Sequence, residues 1–210
     1  MQYLKQQYKE IWRYLCRELK WILPGVVVFF IAVIVLTHLF MVKNPDMQAQ
    51  FMEMIHNSLP EGLEEKTGLP MAADLFRNNT IACIIAVVSG FVPFLFLPVI
   101  TLFVNAAVLG VLGGVYQNMG MSVAGMYVFG IMPHGIFELP AILLSLAMGI
   151  RLCYCLVRRI CEGRYNRGIV KETLTGALRT FMLVIIPLLI IAALIESQLT
   201  PILLMKFMGL

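Results

Sequence analysis

Four long stretches nearly free of charge alternate with three charged ones, and this constrains the chain more than anything else in its 210 residues. The 16 Lys and Arg fall five in residues 1–20, three in 43–78, seven in 151–179 and one at Lys206. The 12 Asp and Glu fall two, six and two in the same three stretches, which leaves Glu138 and Glu196 alone inside apolar sequence. Hydrophobic residues make up 60% and charged residues 13%, where a soluble domain carries about 45–50% and about 25%. Such blocks predict an integral membrane protein and exclude a disordered tail, a secreted disulfide scaffold and a nucleic-acid-binding domain. Cys16, Cys83, Cys153, Cys155 and Cys161 form no CxxC pair, so they suggest membrane-buried thiols rather than a disulfide framework or a zinc knuckle.

Residues 1–20 read as an amphipathic helix. Leu4, Tyr8, Ile11, Leu15 and Leu19 recur at helical spacing, and Lys5, Lys9, Arg13, Arg17 and Lys20 take other positions. We expect the helix to lie along the inner surface of the bilayer, with Trp12, Tyr14 and Trp21 at headgroup depth. Residues 21–42 form a first transmembrane helix of about 33 Å, with Pro24 in its first turn, where a missing N–H costs least. Residues 43–78 are the one substantial polar loop, net −3, with a short amphipathic helix predicted over Met47 to Leu59. The stretches 1–20 and 151–179 are net +3 and +5, so the distribution of basic residues places them, and the amino terminus, in the cytoplasm. The loop 43–78 and the carboxyl terminus are then extracytoplasmic.

Residues 79–210 complete the bundle. Thr80 to Val115 holds no charge, is too long for one crossing, and is interrupted by Gly90, Pro93 and Pro98, which predicts two crossings joined by a membrane-embedded turn. Ala106, Gly110 and Gly114 lie four apart, an arrangement that lets helix backbones approach, here assigned to helix packing and homo-oligomer formation. Val123 to Ile150 is the next crossing, Arg151 to Arg179 a basic loop, and Phe181 to Ile195 the last clear crossing; the tail after it is too short to span and is expected at the outer interface. The fold class is therefore all-α: a polytopic membrane protein of about five crossings, with an interfacial amino-terminal helix and one broken helix.

The break is expected within PHGIFELP, where Pro133, Gly135 and Pro140 disfavour a continuous helix and His134 and Glu138 bring ionisable groups into the membrane. An acidic group at that depth costs roughly 2.5–3.5 kcal/mol, so Glu138 must face protein, water or an ion. A helical backbone here puts His134 and Glu138 on one face; a helix restarting after Gly135 puts Glu138 at a positive dipole end. A structural hydrogen-bonded clasp, a proton or ion site, and a metal site with His134 and Glu138 as candidate ligands all remain open. Asn105 and Glu196 are the candidate partners. No HExxH, GxSxG, phosphate-binding loop or dinucleotide turn is present, and neither catalysis nor a cofactor is expected.

Asn78-Asn79 opening a span, Asn105 in a Gly-rich helix, PHGIFELPA and the closing ALIESQLTP resemble, in order and spacing, the stage II sporulation protein M family of membrane proteins. The resemblance covers roughly residues 75–201 and carries over to Asn78, Asn79, Asn105, Pro133, His134, Gly135, Glu138, Pro140, Glu196 and Pro201. It implies an all-helical membrane fold without established catalysis. It also implies, for the sporulation members, a complex with cell-wall-degrading proteins at the septum. The expected function is a scaffold in the lipid bilayer that docks such extracytoplasmic partners and forms a homo-oligomer, with no nucleic acid as a partner. The alternative is a transporter or permease-like subunit with a proton, ion or metal site at His134 and Glu138.

Overall fold

A computed structural model describes residues 2–47, 50, 51, 53, 68–162 and 167–208. Among these, helix α1 (Gln2–Glu18) leads into α2 (Ile22–Lys43), and a single 3-10 turn follows at Pro45–Met47. Helix α3 spans Gly68–Val88 and α4 spans Leu97–Asn118. One α-helical turn (Val123–Gly125) and a π-helical stretch (Met126–Ile131) lead without interruption into α5 (Met132–Glu162). Helix α6 (Arg167–Thr180) passes through a second π-helical stretch (Phe181–Ile185) into α7 (Ile186–Met208). The described residues include five helices long and apolar enough to cross a membrane, so the chain has an all-α, multi-pass architecture.

Helix α5 is the centre of the bundle, packed against α3, α7, α2, α4 and α6. Its Ala141, Leu144, Ser145, Leu146, Ala147, Met148, Leu152, Cys153 and Cys155 are all buried, and a helix that is apolar all round belongs in a core. Leu146 in particular faces protein, although its spacing with Leu139, Leu143 and Ile150 suggests a lipid-facing stripe. The outer helices expose theirs: Val28, Ile31, Val35 and Leu36 on α2, and Ile81, Ile84, Ile85 and Val88 on α3. These are the faces that lipid tails would cover.

The structure corrects four sequence expectations. The helix is not broken at His134 to Glu138; the irregularity lies just before, in the π-helical stretch Met126–Ile131. Proline clashes with the carbonyl four residues back and donates no hydrogen bond to it. For Pro133 that carbonyl belongs to Phe129, inside the wide π turn, so the backbone absorbs the ring without breaking. Pro140 sits within α5 on its exposed face. Second, the crossing expected to open at residue 79 begins at Gly68. Third, residues 151–179 are largely helical, because α5 continues to Glu162 and α6 starts at Arg167. Fourth, the tail does not leave the bundle at Glu196: α7 continues to Met208, and its Phe207 ring packs on Gly125 and stacks on Phe129 at 5.0 Å.

The charge-free connection between α3 and α4 is a tight turn. Gly90 is buried against the backbone of Gly149, where a Cβ would collide with the Gly149 carbonyl. Phe94 and Phe96 take the left-handed conformation and expose their rings, so the turn is anchored to protein on one side only. The predicted helix over Met47 to Leu59 lies mostly outside the described residues; Phe51 is described, packed against Met41, Val111 and Val115.

Candidate functional site

His134 and Glu138 occupy adjacent turns of α5, and Glu196 and Thr200 occupy adjacent turns of α7. Both pairs have i, i+4 spacing, so each presents its two polar groups on one helix face. Because α5 packs along α7, the faces meet: ligand atoms of His134, Glu138 and Glu196 lie within 4.8 Å of one another. The Nε2 of His134 is 4.0 Å from Oε2 of Glu138, with the two side chains 14% and 19% exposed. At that distance they make no hydrogen bond.

Neighbouring side chains orient the cluster. The Thr200 hydroxyl donates to the Ile195 carbonyl at 3.5 Å and lies 3.4 Å from Nδ1 of His134. The hydroxyl can accept from Nδ1–H or donate to Nδ1, so it is compatible with either imidazole tautomer. From α3, the Asn79 side chain lies beside the Glu138 carboxylate. Three helices thus converge on one polar cluster. Along α5 the cluster lies about 20 Å from Arg151, at 1.5 Å per residue.

Of the candidate partners, Glu196 joins the cluster and Asn105 does not: the Asn105 amide donates to the Thr101 carbonyl of its own helix at 2.8 Å. Asn78 is exposed, while Pro133, Gly135, Pro140 and Pro201 shape the helices that carry the cluster. Thr200 carries no signal in the sequence beyond its i, i+4 spacing from Glu196. The stripe Ala106, Gly110 and Gly114 is buried against α2: a Cβ at Gly110 would meet Thr37 and the Ile34 carbonyl, and one at Gly114 would meet Met41 Cβ at 2.5 Å. The stripe therefore packs within one chain, which removes it as the surface of a homo-oligomer.

A second polar group, also unexpected from sequence, ties α1 to the bundle. Arg151 of α5 donates to Glu18 through Nε at 2.7 Å and through its terminal amino group, and Arg17 bridges Glu18 and Glu172 of α6. Burial works to raise the Glu18 pKa, but hydrogen bonding to Arg151, then the charges of Arg151 and Arg17, hold it below its ordinary value. The Tyr14 ring, expected at headgroup depth, is buried on Gly176 of α6 instead, and burial raises its hydroxyl pKa.

The family model described as Stage II sporulation protein M matches residues 26–201. No curated protein and no solved structure matches the chain.

Proposed function

The chain belongs to the stage II sporulation protein M family, and from this we propose that it is a non-catalytic membrane scaffold that docks partner proteins, such as extracytoplasmic enzymes that remodel the cell wall. The observation that carries this reading is the apolar layer on α5 between Glu138 and Arg151. Ala141, Leu144, Leu146, Ala147 and Met148 are buried there against the surrounding helices, so the core under the polar cluster is a packed plug. A rigid plug suits a platform better than a pathway. The converging cluster favours the second reading, a transporter with an ion or proton site, but ions would have to pass that layer.

The amino terminus is cytoplasmic in this proposal. The contacts of Glu18 with Arg151 and of Arg17 with Glu172 support it, because they bring the two most basic stretches to one end of the bundle. If the protein associates with itself, it does so through a surface other than the Ala106–Gly114 stripe.

Cross-linking in intact cells followed by purification should recover cell-wall-degrading proteins from the extracytoplasmic side, equally from wild type and Glu138→Gln. Reconstituted alone in vesicles, the protein should move no solute. Solute movement that disappears in Glu138→Gln would overturn the scaffold reading in favour of transport.

A further inference from the structure

We infer that Nε2 of His134 and the carboxylates of Glu138 and Glu196 form a binding site for a first-row divalent cation, of the class of Zn2+ or Mn2+. The inference is independent of the scaffold reading and concerns only what these three groups hold.

Three features of the cluster lead to it. First, an imidazole and two carboxylates, each able to offer a lone pair, meet at one largely buried point. With Thr200 3.4 Å from Nδ1, the imidazole can keep its proton on that side and offer Nε2, which lies 4.0 Å from Oε2 of Glu138, as a ligand. Second, the spacing suits a metal ion. Nitrogen and carboxylate ligands sit about 2.0–2.2 Å from such an ion, so neighbouring donors of a tetrahedral shell are separated by roughly 3.4 Å. The observed 4.0 Å, and the 4.8 Å limit on the whole set, need only small side-chain rotations to close around one. Third, the outer partners that fix metal ligands are in place. Thr200 lies 3.4 Å from the imidazole Nδ1 and Asn79 lies beside the Glu138 carboxylate, each on the outer side of a would-be ligand.

The donor set selects the ion. One imidazole with two carboxylates suits Zn2+, Mn2+ or Fe2+, whereas Ca2+ and Mg2+ favour all-oxygen shells and Cu+ favours sulfur. The buried thiol of Cys83 is not among the three grouped ligand residues. Asn79 and Thr200 bring dipoles but no charge, so a divalent ion would offset the two carboxylates directly. Three protein ligands also leave a coordination position open to water or to a donor from elsewhere.

The test uses the full chain in detergent, stripped with EDTA and then titrated with Mn2+ or Zn2+ alone. Wild type should take up one ion per chain, seen as loss of the free Mn2+ resonance signal, and its unfolding temperature should rise with added ion. Glu138→Gln, Glu196→Gln and His134→Ala should each weaken binding by at least about tenfold, the lower end of what disturbing a metal shell costs. If a variant does not fold, Co2+ added to wild type decides the matter: a visible absorption band that Zn2+ displaces supports nitrogen–oxygen ligation at the site. The inference is overturned if stripped wild type leaves Mn2+, Zn2+ and Co2+ free, or if binding survives all three substitutions unchanged.

Discussion

Gly149→Ala tests the packing of the bundle where three helices meet. Gly149 lies on α5, and a Cβ there would collide with the carbonyl oxygen of Ala86 on α3 and lie 3.0 Å from Cγ of Pro98 in the first turn of α4. Neither neighbour can swing aside, since one is helix backbone and the other a proline ring. Relief requires α3 to move away from α5, which would also loosen Gly90 from the Gly149 backbone. Overpacking of this kind costs about 1–3 kcal/mol, and backbone contact belongs at the upper end. Alanine returns roughly 0.5–1 kcal/mol in helix propensity, so the net loss is about 2 kcal/mol. At about 2–4 °C per kcal/mol, the unfolding midpoint should fall by roughly 4–8 °C. Gly25 on α2 is the control: a Cβ there meets nothing within 4 Å, so Gly25→Ala should raise the midpoint slightly. Thermal unfolding in detergent, followed by helical circular dichroism, measures both. A Gly149→Ala protein as stable as wild type would refute the close packing of α3 on α5.

Two further outcomes are expected. Because the folded Glu18 pKa lies below its ordinary value of 4.5, the group contributes stability that is complete above that value and is lost as pH falls through the folded one; in acid unfolding series, Glu18→Gln should flatten this limb and lower stability at neutral pH by roughly 1.5–3 kcal/mol, the scale of a charged hydrogen bond, and an unaltered acid limb would dismiss the pair. In a cysteine-free background, single cysteines at Glu61 and Gly163, positions outside the described residues, should label from opposite sides of the membrane; labelling from one side would contradict an odd number of crossings between them.

The crossings were legible in the sequence because bilayer insertion is decided by composition, which a run of about 20 apolar residues records directly. Helix ends were less legible. Gly68 to Arg77 carries charge and so reads as loop, yet it continues α3, since a helix runs on past the hydrocarbon wherever its backbone bonds remain satisfied. The basic stretch 151–179 misleads in the same way: charge marks where the membrane ends, not where the helix does. The small-residue stripe announced a close backbone approach without naming the partner, and α2 supplies it from the same chain. Glu138 and Glu196 were each conspicuous as lone acids in apolar sequence. Their meeting was not legible, because it depends on the rotation of α5 and α7 about their own axes.

That rotation has a local cause. A π turn accommodates an extra residue, and one residue of helix corresponds to about 100° of rotation, so each π turn re-aims every side chain that follows it. The chain has such a stretch upstream of His134, at Met126–Ile131, and another upstream of Glu196, at Phe181–Ile185. Each precedes a proline, Pro133 or Pro187, whose ring would press on the carbonyl four residues back, at Phe129 or Leu183, inside the widened turn. The Leu183 carbonyl, which Pro187 cannot satisfy, accepts a hydrogen bond from Tyr8 of α1 at 3.3 Å. The two prolines therefore do more than interrupt apolar helices. By seating a π turn ahead of each polar i, i+4 pair, they set the direction in which His134 with Glu138, and Glu196 with Thr200, leave their helices, and the cluster exists because those two directions converge.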